Sequence, residues 1–197
     1  LTGVYSMQQN VMEGLYGLGN TLSFNSLWYN VQGGQTNSSQ SSYSQSSLMS
    51  YLARANYSLL DKYLFTASFR YDGSSKLAEG NKWGFFPSAA IAWRISEEAF
   101  MQNLHWLSNL KLRLSYGQTG NDSVGPYSTA GTISGSQYIV FGESGTGMVG
   151  TVPGNLRNTR LSWERSTEYN FGIDLGIFDS RFTTSIELYD RLTTDLI

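Results

Sequence analysis

The chain has 197 residues, of which 14% are charged and 14% aromatic, with a net charge of −2, one histidine and no cysteine. A soluble domain carries roughly 25% charged residues; here Ser, Thr, Asn, Gln and Gly fill that share. The absence of cysteine excludes disulfide scaffolds, cysteine nucleophiles and Cys-ligated zinc; the lack of a basic block argues against nucleic acid; and no apolar run reaches the about 18 residues of a transmembrane helix.

The dominant signal along the chain is alternation with period two. Residues 1–9 form a weak first strand, with Leu1, Gly3, Tyr5 and Met7 on one parity. A long Ser-, Gly- and Gln-rich join spans 10–46. Residues 47–59 then alternate Tyr51, Ala53, Ala55, Tyr57 and Leu59 against Leu52, Arg54, Asn56 and Ser58. After a tight turn at 60–61, residues 62–73 place Tyr63, Phe65, Ala67, Phe69 and Tyr71 opposite Leu64, Thr66, Ser68, Arg70 and Asp72. The strand 83–95 sets Ala89, Ile91, Trp93 and Ile95 against Ser88, Ala90, Ala92 and Arg94. In the join 96–108, Ser96 is placed to cap a short helix, with Glu97 and Glu98 in its first turn. The strand 109–119 opposes Leu110, Leu112, Leu114 and Tyr116 to Lys111, Arg113, Ser115 and Gly117. A second long loop covers 120–161. The last two strands, 162–176 and 181–193, carry Tyr169, Phe171, Ile173 and Leu175, then Phe182, Thr184, Ile186 and Leu188, on their apolar parity.

The fold class is therefore all-β, an antiparallel up-and-down meander of about seven strands. In such a meander alternate joins share an end, so the two very long loops lie at one end and the tight turns at the other. One apolar and one polar face suit a soluble sandwich, which hides its apolar face on a second sheet. They also suit a membrane barrel, which turns that face to lipid. Strands of ten residues or more, tyrosines and tryptophans near strand ends, low charge and asymmetric loops favour the barrel. Seven strands do not close a bacterial barrel, and open edges in lipid leave backbone groups unpaired. The expectation is an arc, over residues 1–197, of a large transmembrane β-barrel, an internal piece of a longer chain with outer-membrane lipid as a partner. A soluble secreted carbohydrate-binding β-sandwich and a passive porin-type barrel stay open as alternatives.

Several segments together resemble one family: Arg70-Tyr-Asp-Gly-Ser-Ser-Lys76, Asn81-Lys-Trp-Gly-Phe-Phe-Pro-Ser88, Ala92-Trp-Arg-Ile-Ser-Glu-Glu98, Trp106 through Asn121, Leu161-Ser-Trp-Glu164, Asn170-Phe-Gly-Ile-Asp174 and Tyr189 through Leu196. In this order they resemble the SusC/RagA-type TonB-linked outer-membrane proteins, over roughly 47–197. The resemblance implies a 22-stranded barrel plugged by an N-terminal domain, located in the outer membrane. It implies import of glycans or peptides driven through TonB, with a SusD-like surface lipoprotein as partner. It carries over no catalytic or cofactor residue, and the remaining strands, plug and TonB-contacting segment lie outside these residues.

No enzyme site emerges. Gly145-Thr-Gly-Met-Val-Gly150 matches GxGxxG, but Val152-Pro153-Gly154 follows where a dinucleotide site needs a helix. His105 lacks His or Cys companions for a metal. Glu97 and Glu98, adjacent in sequence, do not face each other on a helix. Glu164 and Glu168 lie about 13 Å apart on a strand, beyond the about 6.5–9.5 Å of a glycosidase pair. Two candidate sets remain. Arg54, Arg70, Arg94, Arg113, Arg181 and Arg191 share the polar parity as a possible lumen-facing wall, either steering substrate or pairing with Asp72, Asp174 and Glu187. Trp28, Tyr29, Tyr43 and Tyr138 are loop aromatics that could stack on a substrate.

Overall fold

The computed structural model describes residues 1–22, 29–141 and 146–196. Seven strands form one antiparallel sheet: β1 (Thr2–Leu22), β2 (Gly34–Leu59), β3 (Tyr63–Ser74), β4 (Trp83–Arg94), β5 (Leu107–Asn121), β8 (Glu164–Ile177) and β9 (Phe182–Thr194). They follow one another in the order β1-β2-β3-β4-β5-β8-β9. β6 (Thr132–Phe141) and β7 (Thr146–Asn155) make a separate hairpin between β5 and β8. At the tight end, Leu60 and Asp61 both adopt positive φ (54° and 55°), and Lys62 N–H returns to the Leu59 carbonyl at 3.1 Å. That is the hairpin geometry whose twist matches the flanking strands.

Three expectations change: the second long loop, 120–161, contains the β6–β7 hairpin. The segment 10–46 is largely paired, not an open loop: β1 and β2 run in register from Thr2↔Arg54 to Asn20↔Thr36. β2 meets β3 only from Leu48↔Ser74 onward, so the hairpin projects about 45 Å past the rest of the wall. It carries no two-faced hydrophobic pattern, and its apolar side chains Val11, Met12, Leu15 and Tyr16 are exposed on both faces. The join 95–106 contains two short 3₁₀ turns, Ile95–Glu97 and Ala99–Met101, and Ser96 does not cap them; the capping positions are Arg94 and Glu98, neither with a side-chain cap.

The faces keep their parity across every ladder. One apolar row runs Tyr57↔Phe65↔Ile91↔Leu114↔Phe171↔Leu188. These side chains have no second layer. The chain exposes 14541 Å², against the ~9,300 Å² expected of a compact monomer of its mass. Phe65, Ile91, Leu114, Ile186 and Leu188 are all exposed. On the opposite face, Arg54 on β2 and Arg191 on β9 line one cavity although five strand steps separate them. The sheet therefore curls with its polar face concave.

Aromatic belts give the tilt of the strands. The upper belt holds Tyr51, Tyr71 and Phe85 in one row, then Tyr116 and Tyr169 four residues lower. The lower belt drops likewise from Tyr63 and Trp93 to Phe182. Four residues are about 13 Å along a strand, over about 12–17 Å of sideways spacing. If the belts lie level, the strands lean by roughly 45°, as membrane strands do. The ~33 Å of strand between Trp106 and Tyr116 then spans about 24 Å of depth, close to the about 25 Å apolar band of outer-membrane barrels.

The small true core lies on the polar face, at the long-loop end. Leu77, Phe86 and Trp163 are buried there, with Leu48, Val124 and Leu161 packed around them. The β4–β5 ladder stops at Ser88↔Gly117, and Phe86 fills the gap above it. A Cβ on Gly120 would overlap the ring of Phe86, which is 4% exposed and cannot swing clear. A Cβ on Gly117 would meet only Ser88 Cβ at 3.5 Å, an ordinary contact. Gly120→Ala is expected to destabilise by about 1–3 kcal/mol, and Gly117→Ala to be near neutral. Thermal melting of the two variants in detergent checks this; equal melting points would reject the Phe86 packing.

Candidate functional site

The concave wall collects most of the sequence-selected arginines. Arg113 of β5 lies beside β8 and β9. Its Nη2 donates to Asp174 (3.0 Å), Ser185 (3.2 Å) and Glu187 (2.7 Å). Its Nε lies 3.0 Å from Asp174 Oδ2 but is not aligned to donate. Gly172 gives the guanidinium room, since a Cβ there would sit 3.0–3.2 Å from it. Lys111 adds a second cation 3.6 Å from Asp174. Arg70 Nε donates to both oxygens of Asp72, which is buried. Arg191 pairs with Glu168 across the β8–β9 ladder.

Arg94 reaches the Asp61 carbonyl at 3.4 Å. Arg54 and Arg181 have no side-chain partner among the described residues. Arg54 borders the cavity of about 380 Å³ that also holds Ser88, Ser115, Thr119, Glu168 and Arg191. Half of the six arginines, Arg70, Arg113 and Arg191, are thus neutralised in ion pairs, while Arg54 borders the hollow without a side-chain partner among the described residues.

The selected aromatics do not converge. Trp28 lies outside the described residues, and so does the side chain of Tyr138, whose backbone is in β6. Tyr29 is exposed. Tyr43 sits on β2, not in a loop, and donates to Gln45 Oε1 at 2.9 Å. Gly145 is outside the described residues; Gly147 and Gly150 belong to β7, so no helix follows the GxGxxG match. His105 is exposed in a turn.

Two clusters escaped the sequence reading. At the long-loop end, Ser74 donates to Asp122 at 2.7 Å and Lys76 pairs with the same carboxylate at 3.7 Å. Asn81 donates to the Arg160 carbonyl (3.4 Å) and Trp163 Nε1 to the Lys82 carbonyl (3.1 Å). Arg165 stands over the Phe86 ring at 5.8 Å, which explains an arginine on the apolar parity. These contacts join three of the separate sequence signatures, 70–76, 81–88 and 161–164, into one inward-folded cap. Tyr127 belongs to it: its hydroxyl accepts from Gln45 N–H at 3.2 Å. It holds φ of 64° after Pro126, a turn position that favours glycine.

At the tight end, Glu98 receives Tyr63 (2.7 Å), Lys62 (3.0 Å) and Trp93 (3.1 Å). The Tyr63 hydrogen bond, then those of Lys62 and Trp93, hold its carboxyl below the ordinary value of 4.5, against a smaller opposing effect of burial. A depressed native pKa contributes stability above the ordinary value and loses it as pH falls through the native one. Melting of wild type and Glu98→Gln should differ fully at pH 6 and converge as the pH falls past the ordinary carboxylate value and through the lower native one. A gap that persists at low pH would refute this role.

A curled, tilted, two-faced sheet with exposed apolar rows is the wall of a transmembrane β-barrel. The chain belongs to the TonB dependent receptor-like β-barrel family, whose pattern matches residues 2–197. Members of this family reside in the outer membrane and are transporters, not enzymes. The chain is 38% identical to TonB-dependent receptor P3 of Formosa agariphila, over all of this chain and 20% of that protein. It is 40% identical to TonB-dependent receptor SusC of Bacteroides thetaiotaomicron, over 78% of this chain and 15% of that protein. It superposes on the RagAB peptide transporter with a TM-score of 0.80 and 25% identity, covering 98% of this chain and 21% of that one. The chain thus spans 15–21% of the length of these relatives, as a barrel segment of SusC/RagA type.

Proposed function

We propose that the chain is one arc of the wall of an energised outer-membrane importer, completed by further strands and a plug, that takes up glycans or peptides. The observation that carries this is the division of faces on strands leaning by roughly 45°: between the aromatic belts one face is fit for lipid, the other for a wet, ion-paired lumen. The similarity to a peptide transporter supports oligomeric cargo. In this reading TonB supplies the driving force and a SusD-like surface lipoprotein meets the long-loop end.

Leu112 and Arg113 are neighbours on opposite faces, and Leu112, in register with Trp93 and Ile173, lies on the apolar face within the band between Trp106 and Tyr116. An arginine there would meet hydrocarbon at a cost of about 2–4 kcal/mol. In the complete receptor, Leu112→Arg should block assembly in the outer membrane. Arg113→Ala should assemble, because lumen water can solvate Asp174 and Glu187. Membrane fractionation and growth on the imported nutrient read both. If the two variants assemble equally, the assignment of faces is wrong.

A further inference from the structure

The apolar face has a groove of about 560 Å³ across β4, β5, β8 and β9. Ile91, Leu114, Phe171 and Leu188 bound it below, and Tyr116 and Tyr169, 5.1 Å apart, bound it above. Ala89 forms its floor, in a row with Ala55 and Ala67 between the bulkier rows of Phe65 and Phe69. Every wall comes from contiguous strands of this chain.

At the upper end of the groove stands Asp190, paired in register with Tyr169. It is the one carboxylate on the apolar parity of β2–β5, β8 and β9, and it is exposed with no ion pair or hydrogen bond among the described residues. The hydroxyls of Tyr116 and Tyr169 also have no partner there. Given the slope of the belts, Asp190 stands a few ångströms above the tyrosines, at headgroup depth. A carboxylate at the edge of hydrocarbon calls for a counter-charge, and none stands beside it among the described residues.

We propose that this groove seats one acyl chain of a membrane lipid whose headgroup bears an ammonium group. The chain lies over Ala89 between the apolar walls. The ammonium donates to Asp190, and the tyrosine hydroxyls donate to the ester and phosphate oxygens. This rests on the lipid-facing assignment made under Proposed function.

The test uses the complete receptor in nanodiscs of equal phosphatidylethanolamine and phosphatidylglycerol, washed stepwise with detergent and read by native mass spectrometry. Wild type should retain phosphatidylethanolamine several-fold over phosphatidylglycerol. Asp190→Asn should lose that preference yet keep a lipid, and Ala89→Trp, which fills the groove, should lose both lipids. Equal retention by wild type, or retention unaffected by Ala89→Trp, overturns the proposal. A fluorophore on Thr184→Cys, on the same face but away from the groove, is quenched by brominated acyl chains if the face meets lipid. Quenching without selective retention rejects the groove alone; absence of quenching rejects the lipid-facing assignment beneath it.

Discussion

Backbone polar groups in hydrocarbon must find partners sideways, because no water is there to take them. That constraint accounts for the long ladders of this chain. β5 and β8 pair from Leu107↔Ile177 to Asn121↔Glu164 with a single irregularity beside Asn109, and β8 and β9 pair without one. A slip of one residue in either ladder would exchange the faces, putting Arg113 and Asp174 into lipid. Register, side-chain chemistry and membrane position are thus a single commitment.

The polar face resolves its charge by cross-strand pairing. Asp174 is shared by Lys111, Arg113 and Ser185, which fastens three strands at one level. Near the long-loop end the same face is covered by the chain's own connections, so that Ser46, Ser50, Asp72 and Ser74 are buried. The only compact packing in the described residues sits there, under segments between strands. Three of the segments that carry the family resemblance, 70–76, 81–88 and 161–164, meet in this cap and so have a packing reason for their residue types.

The strands that cross the apolar band were legible because alternation is enforced wherever one face meets lipid and the other water. Lys111 to Tyr116 reads correctly on that basis alone. The upper half of the β1–β2 hairpin was not legible: Val11, Met12, Leu15 and Tyr16 are all exposed, on both faces, so no two-fold pattern arises. The cap was hidden for another reason. Leu77 and Trp163 are 86 positions apart in sequence, and nothing in either segment points to the other. Arginine pairing with Asp72, Asp174 and Glu187 was anticipated from parity; the Arg191–Glu168 pair and the Glu98 hub needed the actual register.

The connection between β5 and β8 closes on itself. Asn121 and Glu164 are ladder partners, and β6 and β7 pair only with each other. The β6–β7 hairpin, Thr132 to Asn155, therefore behaves as a cassette whose length is invisible to the wall, while Asp122, Tyr127 and Leu161 on its flanks stay packed in the cap. Loop closure grows only logarithmically, about 0.6 kcal/mol for each doubling of length. Lineages can lengthen, shorten or replace this stretch while the strands on either side keep their pairing, which makes it the natural place for one barrel to diversify what it presents to the outside.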